Sequence, residues 1–204
     1  MWGINYLASF DTLIVQFLPI ENNLIKKNDD FILFYKDEKL VGANFFNVSK
    51  EINFEIPWLG ETSSAIKFII KKLNSLKLAY PIGEKFVIGR ILTCEKIEST
   101  HLHKTTVDFG NNELAQIICG ANNVEANKLV VAAKDGAVMF DWKTIVYTKL
   151  KGIDSNGMLV SKKELNIERA NFNDDGIIIL EEEAYKNCIG KSFWQVIENN
   201  ETKI

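Results

Sequence analysis

The sequence predicts a small α+β domain over residues 1–84, followed by an all-β domain built around a small barrel over residues 85–204. Three observations support this prediction. Strand-like patterns early in the chain lead into one helical pattern, and the stretch "AYPIGEK" (79–85), with its proline and glycine, then interrupts the chain as a linker. Beyond it, short apolar segments recur about every ten residues with Gly and Asn between them, which is typical of a barrel or sandwich. A chain of 204 residues is long enough for each domain to bury its own core.

In the first domain, residues 4–18 alternate and then run apolar, which predicts two short strands that turn near Asp11. Apolar segments at 31–35 and 40–46 flank the polar "KDEK" and predict a hairpin. The stretch "GETSSAIKFIIKKLNSLKL" predicts a helix, capped by Thr62, Ser63 or Ser64. Its apolar residues fall on one stripe at spacings of three and four, namely Ile66, Ile69, Ile70, Leu73 and Leu76.

In the second domain, "KFVIGRILTCEKI" predicts a long strand, and the glycine within it, Gly89, marks a bulge or bend. The stretch "KTTVDFGNNELAQIICG" predicts a hairpin that turns at "GNN". Further short strands are predicted in "KLVVAA", "KTIVYTKL" and "NGMLVS", and the tail adds the segments "GIIIL" and "KSFWQVI". Strands of this length and spacing favour a small closed or half-closed barrel.

The composition excludes several functional classes. A hydrophobic content of 47% and a charged content of 25% are ordinary for a globular protein. No apolar run approaches the roughly 18 residues of a membrane span, and the N-terminus lacks the basic region of a secretory signal, so we expect a cytoplasmic protein with no membrane partner. The three cysteines are far apart and are expected to be free thiols.

Motifs for catalysis are also missing from the sequence. The only histidines are His101 and His103, and two histidines without a third ligand make a poor metal site. The sequence contains no glycine-rich phosphate loop and no zinc-protease motif. We therefore predict no enzymatic activity, no cofactor and no metal.

The basic residues are distributed unevenly. The chain has a net charge of −3. Of its segments 1–84, 85–167 and 168–204, only 85–167 is net positive, with 11 basic and 9 acidic side chains. Only Arg90 and Arg169 are arginines among 24 basic residues, which favours phosphate contact over base readout. A helix predicted to start near Ser161 would add free backbone N–H groups for a phosphate. The candidate cations around it are Lys143, Lys149, Lys151, Lys162 and Lys163, and the alternative is that these lysines are simply solvated.

Several motifs resemble those of one known family. "QIICGANNV" (116–124) resembles Q-I-V-C-G-A-P-N-V, and "LKGIDSNGMLVSKKELNI" (150–167) resembles L-R-G-V-x-S-x-G-M-L-C-S-x-x-E-L-G-L. Both family patterns come from the tRNA-binding domain that occurs in the bacterial phenylalanyl-tRNA synthetase β chain, in methionyl-tRNA synthetase C-terminal modules and in free-standing tRNA-binding proteins. "VDFG" (107–110) and "DGAVM" (135–139) match further stretches in the same order. With its N-terminal module and tail, the whole chain resembles the YtpR-type proteins of this family.

The resemblance implies an OB-fold barrel that binds folded tRNA through backbone and shape, without catalysis, in a translation-associated role. Carried over by position, Asn123, Met158 and Ser161 occupy the binding face, with Lys149, Lys151 and Lys162 around them. It also implies tRNA as partner, with a homodimer or a synthetase as possible protein partners. The sequence departs from the family's pattern in the loop 96–102, where "KIESTHL" replaces H-P-x-A/S-D-x-L.

Two alternatives stay open at this stage. The barrel could be a protein-interaction or dimerisation module that has kept its fold but not RNA binding. Phe193, Trp194 and Val196 could then form an adhesive strand, although the favoured interpretation is that these side chains belong to the core. An activity on aminoacyl-tRNA through Cys119 or His101 is the least favoured hypothesis, since packing at the end of a strand explains Cys119.

Overall fold

The computed structural model describes residues 2–52, 63–80, 84–167 and 171–201, apart from the side chains of residues 63, 64 and 199–201. The chain divides into two compact units, one comprising Met1–Gly83 with Glu198–Ile204 and the other Glu84–Ile197.

Within the described residues, the first unit contains a five-stranded antiparallel sheet. The strands are β1 (Gly3–Leu7), β2 (Thr12–Gln16), β3 (Leu24–Lys27), β4 (Phe31–Lys36) and β5 (Lys39–Phe46). They lie in the order β1-β2-β5-β4-β3. The predicted turn is confirmed, because Asp11 adopts the left-handed conformation at φ 43° between β1 and β2. The predicted hairpin is confirmed as well, since β4 and β5 join through Asp37 and Glu38, both with positive φ.

One helix packs on this sheet. Helix α1 (Ser63–Ser75) confirms the helix prediction, and the predicted stripe is its buried face, with Ile69 and Leu73 fully buried. These side chains share one core with Leu13 and Phe45 of the sheet. The predicted cap lies outside the described side chains.

The second unit is mostly β. Its described strands are β6 (Phe86–Lys96), β7 (His103–Asp108), β8 (Leu114–Cys119), β9 (Leu129–Ala133), β10 (Thr148–Leu150), β11 (Ile153–Ser155), β12 (Met158–Leu159) and β13 (Ile179–Leu180). The main sheet has the order β12-β9-β6-β7-β8, and β13 also pairs with β9. A separate two-stranded ribbon consists of β10 and β11.

The main sheet curls until its two ends nearly meet. The Asn156 N–H donates to the Gln116 carbonyl over 2.8 Å, and the Ile118 N–H donates to Ser155 Oγ over 3.0 Å. These bonds join β8 to the segment that leads into β12 and leave a nearly closed, barrel-like sheet.

The curl depends on an irregularity in the long strand β6. Its pairing register with β7 shifts between Ile91 and Thr93, where a bulge increases the local bend. The sequence had placed this bend at Gly89, which is instead regularly paired with Val130. Glycine is needed there for space, because a Cβ would lie 2.6 Å from Val107 Cγ1 and 2.8 Å from the Phe109 ring.

The C-terminal segment is helical. After the short helix α2 (Glu182–Tyr185), "KSFWQVI" forms the start of helix α3 (Phe193–Glu201), not a strand. Phe193 and Trp194 are 0% and 3% exposed, and the Trp194 ring lies 6.1 Å from that of Phe86. The favoured interpretation, core use of Phe193, Trp194 and Val196, is confirmed, and the alternative of an adhesive strand is wrong. Phe193, Val196 and Ile197 are spaced by three and four residues, which suits the buried face of a helix.

In the part of the chain that the structure describes, no helix is long and apolar enough to cross a bilayer.

Candidate functional site

An open groove of about 760 Å³ crosses the surface of the second unit. One wall is the segment 143–150, and the opposite wall is formed by residues 174–177 with Ser161, Lys163 and Glu164. The floor combines the end of β8, including Ile118 and Cys119, with residues 155–159. All of these residues belong to the same unit.

The first wall continues from a short hairpin. The Gly136 N–H donates to the Ile145 carbonyl over 2.7 Å, and the Ile145 N–H donates to the Ala137 carbonyl over 2.8 Å. Residues 143–145 therefore pair with 136–139 outside the main sheet, and only Thr148–Leu150 of the predicted strand "KTIVYTKL" belongs to a named strand.

Six residues of this wall line the groove, namely Lys143, Thr144, Ile145, Val146, Thr148 and Leu150. Two of them are exposed hydrophobic side chains, Val146 at 57% and Leu150 at 39%. Tyr147 and Lys149, between them, do not line the groove and contact Asp154 instead.

The helix predicted to start at Ser161 is reduced to a single turn. Both the N–H and the hydroxyl of Ser161 donate to Glu164 Oε2 over 2.7 Å, and the Glu164 N–H donates back to the Ser161 hydroxyl over 3.2 Å. This is a capping box. Asn166 then adopts the left-handed conformation at φ 51° and ends the turn. The N–H groups of Ser161 and Glu164 are thus bonded within the turn, one to the Glu164 carboxylate and the other to the Ser161 hydroxyl. The predicted N-terminal anion site stays a prediction.

Two of the three lysines expected around the carried-over positions are ion-paired. Lys149 Nζ lies 3.4 Å from Asp154, and Lys162 is bonded to Asp174. The hydrogen bond from Lys162 lowers the pKa of Asp174. The pKa of Asp154 is lowered mainly by the hydroxyl of Tyr147 and then by Lys149.

The third lysine is placed differently. Lys151 is exposed in the turn between β10 and β11, with φ 53°, and within the described part of the chain no carboxylate lies within ion-pair distance of it. Lys149, Lys151 and Lys162 all lie outside the groove lining.

Of the other carried-over residues, Met158 and Ser161 line the groove and Asn123 does not. Asn123 is hydrogen-bonded to the 174–177 segment. Its Oδ1 accepts the Ile177 N–H over 3.0 Å, and its Nδ2 donates to the Ile177 carbonyl over 2.8 Å. Asn123 therefore holds the 174–177 segment in place.

The cations that do line the groove are Lys143 and Lys163. Neither lies within ion-pair distance of a carboxylate among the described residues. Both were among the five candidate cations in the sequence, but the family motifs pointed to their neighbours. The alternation of Thr144, Val146, Thr148 and Leu150 is a sequence signal that was interpreted only as a barrel strand.

No cluster of three metal-binding side chains occurs in the described ranges. Cys119 is 6% exposed, and burial raises the pKa of its thiol. Burial also raises the pKa of Cys94.

Comparison with known proteins gives matches of two kinds. Residues 86–186 match the family described as "Putative tRNA binding domain", a range that contains every residue of the groove lining. The "Uncharacterized protein MG449 homolog" of Mycoplasma pneumoniae is 33% identical over 188 residues, covering 87% of this chain and 77% of that protein. The "Uncharacterized protein MG449" of Mycoplasma genitalium is 33% identical over 194 residues, covering 89% of this chain and 81% of that protein.

The second kind of match is to a much longer enzyme subunit. The phenylalanine–tRNA ligase beta subunit of Bacteroides fragilis is 42% identical over 117 residues, which cover 55% of this chain but only 14% of that protein. The chain thus spans about one seventh of the length of this relative.

Proposed function

The chain belongs to the family of the two mycoplasma proteins and carries the tRNA-binding domain of synthetase modules in its second unit, and from this premise we propose that it binds folded tRNA through phosphate and shape contacts. The observation that carries the proposal is the coincidence of the matched range 86–186 with the lysine-flanked groove. Lysine ammonium groups contact phosphate oxygens as point charges, which suits a ligand recognised by its backbone.

We propose that the barrel-like sheet is an OB-fold. The long first strand β6, which pairs with both β7 and β9, and the junction of β8 with residues 154–156 support this assignment. We also propose that residues 1–84 and 85–204 approximate two domains, with the RNA-binding role in the second.

The proposed contact residues are Asn123, Lys149, Lys151, Met158, Ser161 and Lys162, and their surroundings predict unequal contributions. Lys151 is exposed and offers its charge directly. Lys149 and Lys162 must exchange a carboxylate for a phosphate, so each contributes less. Asn123 acts through the loop that it braces.

We further propose that the protein acts in the cytoplasm as a binding protein and catalyses no reaction. The raised pKa of Cys119 supports this part, since a protonated, buried thiol is a poor nucleophile. The proposed protein partners are a second copy of the chain or a synthetase.

The experiment is a titration of the full chain with a purified tRNA pool over a range of salt concentrations. We expect binding at low salt, with a slope of log affinity against log salt of about 0.7–0.9 per phosphate neutralised. The variant K149A/K151A/K162A should bind more weakly, with a slope smaller by at least about 0.7–0.9, the contribution of the exposed Lys151. The control K27A/K39A/K67A removes the same charge from exposed positions of the first unit and should bind like the wild type. Absence of binding at low salt would refute the proposed function.

A further inference from the structure

We propose that the groove of the second unit holds unpaired nucleotides of the bound RNA, with their bases against the wall formed by residues 144–150 and their phosphates at Lys143 and Lys163. This inference rests on the proposed function and specifies which part of the RNA enters the groove. It adds base contacts to the backbone contacts proposed above.

The apolar surface is the first step. Val146 and Leu150 are 57% and 39% exposed on one wall, and Met158 and Ile118 lie on the floor. The volume of about 760 Å³ lies within the range of about 300–1,000 Å³ found for pockets that hold small organic molecules. A groove of this size and lining can cover the faces of one or more nucleobases.

The polar groups between these side chains are the second step. Thr144 and Thr148 alternate with Val146 and Leu150 along the same wall. A nucleobase has two apolar faces and a polar edge, so it can lie against the aliphatic groups while a threonine hydroxyl donates to or accepts from its edge. Asp175, on the opposite wall, offers an acceptor for an exocyclic amino group.

The two lysines are the third step. Lys143 and Lys163 line the groove without a carboxylate partner among the described residues, so both can contact the phosphates that flank a base. The lining also contains three carboxylates, of which Asp174 is paired with Lys162, whereas Glu164 and Asp175 keep their charge. The lysines therefore offer local phosphate contacts, and the groove as a whole is not a cationic surface.

The test compares two double variants. V146A/L150A shortens the exposed wall of the groove. L92A/L114A shortens two hydrophobic side chains that are 41% and 57% exposed outside the groove lining. Because all four side chains are exposed, the folded state should persist, which urea unfolding of each variant verifies.

Three probes are used, namely the tRNA pool, a single-stranded heptauridylate and a blunt RNA duplex. We expect V146A/L150A to bind the first two at least about fourfold more weakly, the effect of losing one buried CH2 group against a base. Duplex affinity and salt slope should not change, since no charge is removed. L92A/L114A should match the wild type with every probe. K143A/K163A should lower the salt slope for tRNA by about 1.4–1.8.

The outcomes separate this inference from the proposed function. If the wild type binds tRNA, and V146A/L150A binds tRNA and heptauridylate with the wild-type affinities, the groove does not hold bases. Only the inference is then overturned. If V146A/L150A instead abolishes self-association in sedimentation without RNA, a second copy of the chain occupies the groove and the inference is again overturned. If the wild type binds heptauridylate but no tRNA, the proposed function fails while the groove remains a nucleotide site.

Discussion

Two carboxylates are expected to restrain RNA binding, because they neutralise lysines that a phosphate would otherwise contact. Asp154 lies 3.4 Å from Lys149, and Asp174 is bonded to Lys162. The variant D154N/D174N replaces each carboxylate by a neutral amide of similar size, which retains one acceptor oxygen in each place. The amide oxygen introduced by D154N would still accept the hydrogen bond that Tyr147 donates to Asp154, so the local structure should be retained.

The magnitude follows from counterion release. A lysine already paired within the protein adds little to the salt dependence, whereas a freed lysine that meets a phosphate adds about 0.7–0.9 to the slope of log affinity against log salt. Two freed lysines should therefore steepen the slope by about 1.4–1.8. Relative to binding at 1 M salt, this corresponds to a gain of about 25- to 60-fold at 0.1 M.

The assay is the salt titration of tRNA binding, with E21Q/D29N as the control that removes two exposed carboxylates of the first unit. Charges that lie further from the RNA than the Debye length of about 10 Å at 0.1 M salt are screened, so the control should retain the wild-type slope. In the K149A background, D154N should not change the salt slope further, because Asp154 no longer has a lysine to neutralise. An unchanged slope in D154N/D174N would refute the competition between carboxylate and phosphate.

Two further predictions concern stability. N123A should lower the free energy of unfolding by about 1–3 kcal/mol, measured with urea, because the Ile177 N–H loses its acceptor. A tRNA affinity that falls while unfolding is unchanged would instead indicate a direct contact by Asn123. Glu182 accepts two hydrogen bonds from Arg90, which lower its pKa in the folded state. Its contribution is therefore present above the unfolded pKa and is lost as the pH falls through the lowered folded pKa. Wild-type stability should then decline with acidification below the ordinary glutamate pKa, and E182Q should decline less. Equal pH dependence of the two proteins would contradict this.

Sequence patterns predicted the elements whose signals are local. The hairpins at 31–46 and 103–119 combine apolar runs with turn residues that tolerate positive φ, and α1 has a regular apolar stripe. β3 was not predicted, because Leu24–Lys27 is exposed along its whole length and has no alternation. The segment "KSFWQVI" is too short for its periodicity to distinguish a strand from a helix.

The candidate site was predicted less completely. The capping signature at Ser161 and Glu164 is real, but Asn166 ends the turn at once, which the periodicity of "KKEL" does not reveal. The sequence also does not reveal which lysines are paired, because Asp174 is twelve residues from Lys162 along the chain. Lys143 is positioned by the hairpin that pairs it with Met139, and Lys163 by the turn that Ser161 caps, so the sequence does not show that both line one groove.

The most direct test is cross-linking of the full chain to a tRNA pool at low salt, followed by identification of the cross-linked peptides. We expect them to come from residues 143–165, which contain the apolar wall and all five candidate lysines. Cross-links confined to Met1–Gly83, or no tRNA complex at all, would contradict RNA binding by the barrel.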